Sequence, residues 1–86
     1  STVRAWCSLS VMPKAGPAVL RALSAMPEVE EVSAVSGPFD YLVFLRCTSH
    51  EQLDRLLDQV GQLEGVHQTQ TSIVLSRKID RRSVDG

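Results

Sequence analysis

The sequence predicts an α+β fold of the ferredoxin-like type, with its elements in the order βαββαβ. Two observations support this prediction. Segments with apolar residues at every second position alternate with segments whose apolar residues recur every three to four positions. The two halves of the 86-residue chain also repeat the same order of elements at similar lengths. A doubled βαβ unit of this size forms a four-stranded antiparallel sheet with both helices on one face.

The first half begins with an alternating strand, in which Ala5, Cys7 and Leu9 share one face. A helix is expected next, because Pro17 suits the start of a helix and Pro27 stops one. The predicted elements are a strand from Val3 to Met12, a helix that begins at Pro17 with Gly16 as its N-cap, and a strand from Val29 to Ser36.

The second half repeats this pattern. Ser49 and Gln52 have the spacing of a capping box, in which Ser49 caps the helix and Gln52 hydrogen-bonds back. Gly65 is expected to end that helix. The predicted elements are a strand from Asp40 to Cys47, a helix that starts after Ser49, and a strand from Val66 to Ser76. Residues 1–76 therefore form the predicted domain, and residues 77–86 form a charged tail.

The third predicted strand is apolar on both faces. Tyr41 and Val43 lie on one face, and Leu42 and Phe44 lie on the other. The helices can cover one face of the sheet, but a chain of this length has no further element for the second face. We therefore expect a dimeric α/β sandwich in which another copy covers the open face. Trp6 is predicted to be an anchor of that interface.

The composition excludes several classes of protein. A net charge of −1 leaves no strongly basic surface for nucleic acid. No apolar run has the length needed to span a membrane, and the N-terminus lacks the layout of a signal peptide. We therefore expect a cytoplasmic protein. Cys7 and Cys47 lack the spacing of a metal or redox pair and are interpreted as core thiols in preference to a disulfide.

The most distinctive chemistry lies in the turn from Ser36 to Asp40. Gly37 supplies backbone freedom there, and Pro38 fixes φ. The Asp40 carboxylate stands beside backbone N–H groups and the Phe39 ring, a set that could hold a small molecule carrying both a positive and a negative charge. The alternative is structural: Asp40 bonds to nearby backbone N–H groups, Gly37 only provides a positive φ, and Phe39 packs in the dimer interface.

Two stretches resemble the effector-binding domain of the Lrp/AsnC regulators. They are MPEVEEVSAVSGPFDYLV, from Met26 to Val43, and LEGVHQTQTSIVL, from Leu63 to Leu75. Both follow the family's pattern of P-E-V, then V-x-G-x-[YF]-D-[YL], then L-x-G-V-x-x-T-x-T. The resemblance implies a ferredoxin-like fold, dimers formed through the sheets, and rings of dimers such as octamers or decamers. It also implies that amino acids bind in clefts between subunits, so residues 1–76 would be an effector-binding and oligomerisation domain.

The resemblance also implies a set of site residues. In the hairpin, the aspartate would face the ammonium group of the effector or fix the loop that does so. In the last strand, hydroxyl groups would bind a carboxylate, although threonine is also an ordinary strand residue. Pro38 departs from the family's usual polar residue and removes an N–H donor. The predicted ligand-binding residues are Gly37, Phe39, Asp40, Thr69, Thr71 and Ser72.

These observations predict a non-enzymatic domain that senses a small amino acid or related metabolite, is linked to transcriptional regulation, and uses no cofactor or metal. One alternative is a small ferredoxin-like dimeric enzyme of the oxygenase or isomerase type. Such an enzyme would need reactive groups between sheet and helices, where Val3, Ala5 and Leu9 are expected. The other alternative is a purely structural oligomerisation module.

The family's DNA-reading helix-turn-helix does not precede the first strand of this sequence. The resemblance therefore implies a stand-alone form that does not itself bind nucleic acid, with a fragment of a longer regulator as the alternative. A full-length Lrp/AsnC regulator is then an expected partner, through mixed assembly.

Overall fold

The computed structural model describes residues 2–82 and confirms the predicted order of elements. The strands form one antiparallel sheet in the order β2-β3-β1-β4, which is the ferredoxin-like topology. Within residues 2–82, no helix is long and apolar enough to cross a membrane. The elements are β1 (Val3–Val11), α1 (Gly16–Ser24), β2 (Val29–Ala34), β3 (Tyr41–Cys47), α2 (His50–Gly61) and β4 (Val66–Ile73).

One hydrophobic core lies between the sheet and the two helices. Alternate residues of β1 and β3 point into it, and Ala5, Leu9 and Leu45 are fully buried there. These side chains occupy the space in which the enzyme alternative requires a reactive group. The helices contribute Val19 and Leu23 from α1 and Leu53, Leu56 and Val60 from α2.

Cys7 and Cys47 are buried free thiols of this core, as predicted. Burial raises the pKa of both thiols, and the charge of Glu28 adds to this effect at Cys47. The Thr71 hydroxyl donates a hydrogen bond to the Cys7 Sγ at 3.4 Å and opposes the rise there. Because thiolates are the reactive form, both side chains serve as core packing.

The predicted ends of the helices are partly wrong. α2 ends at Gly61, whereas Gly65 lies in the turn before β4 with a φ of 94°. Ser49 caps α2 as predicted, by accepting a hydrogen bond from the Gln52 N–H at 3.0 Å. The Gln52 side chain, however, accepts from the N–H of Thr48 and not from that of Ser49. Helix α1 begins one residue early, with Ala15 as its N-cap residue.

The strands are shorter than predicted. β1 ends at Val11, β2 ends at Ala34 and β3 begins at Tyr41. β4 ends at Ile73, which pairs with Ala5 of β1, its only neighbour in the sheet. Just beyond the end of β4, the Val74 N–H donates a hydrogen bond to the Arg4 carbonyl of β1.

The sheet face opposite the helices carries an aromatic pair. The ring centroids of Trp6 and Phe44 are 4.5 Å apart. Since β1 is a central strand, Trp6 lies near the middle of this face. Phe44 is buried, but Trp6 remains 36% exposed. This geometry fits the predicted role of Trp6 as an interface anchor.

The predicted charged tail, residues 77–86, is described as far as Arg82, and residues 83–86 lie outside the described residues. Asp80 accepts hydrogen bonds from Arg82 at 3.2 Å and from Arg77 at 3.3 Å. Those bonds and charges, led by Arg82, lower the pKa of Asp80. Ile79 in this tail and Leu75 just before it are exposed apolar side chains.

Candidate functional site

The turn from Ser36 to Asp40, here called the hairpin corner, joins β2 to β3. The Val35 N–H donates to the Asp40 carbonyl at 3.0 Å and closes the turn. Gly37 has a φ of 105°, which residues with a side chain rarely adopt. A Cβ atom at this position would meet nothing within 4 Å. Gly37 is therefore required for its backbone conformation, and the space beside it is open.

Asp40 fastens the hairpin corner to the end of β1. One of its carboxylate oxygens accepts a hydrogen bond from the Val11 N–H at 2.8 Å, and its own N–H donates to the Leu9 carbonyl at 2.8 Å. The pairing of β1 with β4 shifts register between Ser10 and Val11, where that carboxylate binds. Asp40 thus contacts a backbone N–H 29 residues away and not one of the nearby N–H groups that the structural alternative invoked.

The hydroxyl residues of β4 lie on two different faces of the sheet. Thr69 pairs with Leu9 and Thr71 pairs with Cys7, so both lie on the helix-facing side. Ser72 pairs with Trp6 and lies on the open side. Thr69 and Asp40 both lie next to Leu9, Thr69 on the neighbouring strand β4 and Asp40 just before the start of the neighbouring strand β3. A single chain does not bring the six predicted residues into one pocket.

A pocket of about 420 Å³ lies at the same end of the sheet as the hairpin corner. We call it the loop pocket, because the turn from β1 to α1 and the turn from α2 to β4 form its walls. From the sequence, these turns are interpreted only as helix boundaries, since the pocket exists only when two segments about 50 residues apart meet. Its lining residues are Met12, Lys14, Ala15, Ala18, Glu64 and Gly65.

A second, smaller cleft of about 200 Å³ lies beside α2 and includes Glu28, Gln52 and Arg55. Its polar groups are partly engaged with each other, since the Gln52 amide donates to the Glu28 carboxylate at 3.2 Å. Among residues 2–82, no three His, Cys, Asp or Glu side chains come together as a possible metal site.

The family model of the Lrp/AsnC ligand binding domain matches residues 4–84 of the chain. Among curated proteins, the chain is 45% identical over 49 residues to the HTH-type transcriptional regulator FL11 of Pyrococcus furiosus, which covers 57% of this chain and 32% of FL11. It is also 37% identical over 60 residues to the homocitrate synthase of Sulfurisphaera tokodaii, covering 70% of this chain and 13% of the synthase. The chain therefore spans a third or less of the length of these two relatives.

Solved structures share the fold along most of the chain. The protein TTHA0845 from Thermus thermophilus matches with a TM-score of 0.83 and 28% identity, covering 91% of this chain and 99% of that one. The transcriptional regulator NMB0573 from Neisseria meningitidis, solved as a complex with L-methionine, matches with a TM-score of 0.83 and 25% identity, covering 91% and 53%. With the family model spanning nearly all of the sequence, this chain belongs to the Lrp/AsnC ligand-binding domain family.

Proposed function

We propose that this chain is an amino-acid sensor that controls the assembly of a transcriptional regulator. The observation that carries the proposal is the similarity to NMB0573, a transcriptional regulator solved with L-methionine, over 91% of this chain. The similarity to the regulator FL11 supports the link to transcription. A small amino acid or related metabolite is the proposed effector.

We place the effector at a junction between subunits. The predicted site residues support this placement, because Asp40 lies at the hairpin corner while Ser72 lies three residues beyond Thr69, on the opposite face of β4. A second copy is needed to bring such groups around one ligand. Only one carboxylate oxygen of the exposed Asp40 binds Val11, which leaves the other for an ammonium group.

The assembly itself is proposed to form through the open face of the sheet. Trp6 and Phe44 supply its aromatic centre, and a second copy would cover them in a sheet-to-sheet dimer. Dimers of this kind would then join into a ring such as an octamer or decamer. An effector that binds one assembly state more tightly shifts the equilibrium towards that state, which is the proposed route of regulation.

The chain is proposed to have no catalytic step of its own. The interior between helices and sheet is filled by aliphatic side chains such as Leu9 and Leu45, and the two thiols within it have raised pKa values. The fold and the interface do not distinguish a sensor from a purely structural oligomerisation module, because both would share them. Only ligand binding distinguishes the two.

The homocitrate synthase relative supports a second candidate function. Its matching segment is only 13% of that enzyme, so the similarity concerns a minor part of the synthase and not the whole of it. A domain of this family could therefore regulate an enzyme instead of a DNA-binding protein. Purified chain mixed with a helix-turn-helix regulator and with a synthase of this kind would distinguish the two, by showing which one co-elutes with it.

Thermal unfolding of the purified chain, measured against each of the twenty amino acids at millimolar concentration, tests the sensor. A ligand at about 100 times its Kd adds roughly 2.7 kcal/mol to the stability of the state that binds it. For a domain of this size, that corresponds to an increase in Tm of roughly 10 °C or more. We expect one or a few amino acids to produce such a shift. If none of the twenty does, the amino-acid hypothesis is wrong.

Substitution Asp40→Asn tests the role of the carboxylate in binding. Asparagine keeps an oxygen that accepts from the Val11 N–H but loses the charge. We expect the ligand-free Tm to stay within a few degrees, while the effector binds with about 1.5–3 kcal/mol less free energy, the value of a charged hydrogen bond. Asp40→Ala, which also loses the Val11 bond, should lower the ligand-free Tm as well. An unchanged effector response in Asp40→Asn would show that Asp40 only supports the fold.

A further inference from the structure

We propose that residues 74–82, here called the strap, cross one end of the open face of the sheet and present Leu75 and Ile79 to a second copy of this chain. The strap is then part of the interface, although it lies outside the six helices and strands. This inference rests on the sheet-to-sheet dimer of the proposed function, and it adds a specific segment of the chain to that contact.

The strap begins at one edge of the sheet, beside the start of β1. Just after β4, the Val74 N–H donates a hydrogen bond to the Arg4 carbonyl at 2.8 Å. Ala5 is fully buried on the helix side, so its neighbour Arg4 lies on the open face, as Trp6 does. The first residue of the strap is therefore fixed next to a residue of the open face.

The strap ends near the opposite edge of the sheet. The Asp80 carboxylate raises the pKa of Arg82, and the charges of Glu31 and Glu30 on β2 add to this rise. Glu31 pairs with Phe44 of β3, so the two side chains lie side by side on the open face. β4 and β2 are the two edge strands and lie about 14 Å apart, a distance that an extended segment of this length can span. The strap therefore crosses the sheet on its open side.

Two shielded groups lie on the path of the strap. Phe44 is buried, although both helices pack on the other side of the sheet. The Nε atom of Arg4 is also shielded from solvent, and it has no hydrogen-bond partner within residues 2–82. Trp6 accounts for part of the burial of Phe44, since the two rings are in contact. A segment that runs from Val74 to Arg82 covers this end of the face as well.

The strap exposes its apolar side chains and shelters a charged one. Leu75 is 95% exposed and Ile79 is 73% exposed, but the Arg77 side chain is only 28% exposed. Asp80 accepts hydrogen bonds from Arg77 and Arg82, so polar contacts order the strap without the help of its apolar residues. Water disfavours this distribution, whereas a docked partner would remove both apolar side chains from water.

A second copy is the partner that fits this surface. The strap lies on the same face as Trp6 and Phe44, so a copy that covers the aromatic pair also reaches the apolar side chains of the strap. In a two-fold dimer, each contact occurs twice, and both straps take part. Leu75 and Ile79 therefore each contribute two buried side chains to one dimer.

Sedimentation equilibrium of the Leu75→Ser/Ile79→Ser double variant tests the contribution of the strap. We expect its dimer dissociation constant to rise at least about tenfold, because four apolar side chains are lost from each dimer. The two residues are exposed in the single chain, so the Tm of the dilute monomer should stay unchanged. Leu20→Ser, at an exposed position of α1, is the matched control and should associate like the unmodified chain.

The outcomes separate this inference from the proposed function. If Trp6→Ala weakens association but the double variant does not, the sheet-to-sheet dimer stands and the strap is not part of it. The strap is also excluded if the double variant associates more tightly, because it would then obstruct the open face, or if Leu20→Ser weakens association equally. If the unmodified chain stays monomeric at every concentration, the dimer and this inference are both wrong.

A quenching experiment tests the position of the strap in the dimer. Trp6 is the only tryptophan, so a Trp6→Phe chain with a nitroxide on Ile79→Cys has no tryptophan emission of its own. After subunit exchange with the unmodified chain, we expect this label to quench the partner's Trp6. Cys7 and Cys47 are buried and have raised pKa values, so they should stay unlabelled. The same label on Arg21→Cys, at an exposed position of α1, is the control. Equal quenching from the two positions would overturn the proposal.

Discussion

Gly65→Ala is expected to destabilise the fold by about 3 kcal/mol. Gly65 has a φ of 94°, a conformation that costs a residue with a side chain about 1–2 kcal/mol. An alanine Cβ would also collide with the Cβ of Ala15 at the start of α1. Overpacking of this kind costs roughly 1–3 kcal/mol, because both turns must move apart.

Substitutions at two other glycines distinguish the cost of the backbone conformation from the cost of the collision. Gly37 has a φ of 105° but open space around it, so Gly37→Ala should show only the conformational cost of about 1–2 kcal/mol. Gly61 lies in the last turn of α2, has an ordinary φ and meets nothing within 4 Å. Gly61→Ala should therefore be neutral or stabilise the helix by up to about 1 kcal/mol. Urea unfolding of the three variants measures each value.

The test is the order of the three variants in free energy of unfolding. The difference between Gly65→Ala and Gly37→Ala reports the collision with Ala15 alone, and should be at least about 1 kcal/mol. Equal destabilisation of the two would show that the turn before β4 can move away from α1 without loss. In that case, the loop pocket would not be held in shape by this contact either.

The alternation of apolar residues was sufficient to predict the topology. It placed Ala5, Cys7 and Leu9 on the helix-facing side of β1, and it placed Leu42 and Phe44 on the other side of β3, as observed. These patterns are local, and each element buries the face that its own residues define. The ends of the elements depend on distant partners. Gly65 could not be separated from a helix terminus by local sequence, because Met12 and Ala15 determine its position.

The candidate site was less predictable for the same reason. The motif around Asp40 indicated an important carboxylate, but its partner, the Val11 N–H, lies 29 residues earlier in the chain. Period-2 alternation did show that Thr71 and Ser72 lie on opposite faces, which already means that one ligand cannot contact both from one side. Lys14 and Glu64 carry no sequence signal at all, because only the fold brings their turns together.

Trp6→Ala is expected to raise the dissociation constant of the proposed sheet-to-sheet dimer by about 30-fold to 1,000-fold. Tryptophan at the centre of an interface commonly contributes about 2–4 kcal/mol when it is truncated to alanine. Trp6 has the required position, because it lies on a central strand and its ring packs at 4.5 Å from that of Phe44. Sedimentation equilibrium over a range of protein concentrations measures the change.

Leu20→Ala is the matched control for Trp6→Ala. Leu20 is 37% exposed and Trp6 is 36% exposed, but Leu20 lies on α1, on the other side of the molecule from the open face. A general loss of exposed apolar surface would weaken assembly in both variants, whereas a sheet-to-sheet dimer is weakened only by Trp6→Ala. Ser8→Arg gives a second test, because it places a charge on the open face next to Leu42 while leaving the Trp6–Phe44 contact in place. If Ser8→Arg and Trp6→Ala both associate like the unmodified chain, the open face is not the interface, and the effector junction must be built from other surfaces.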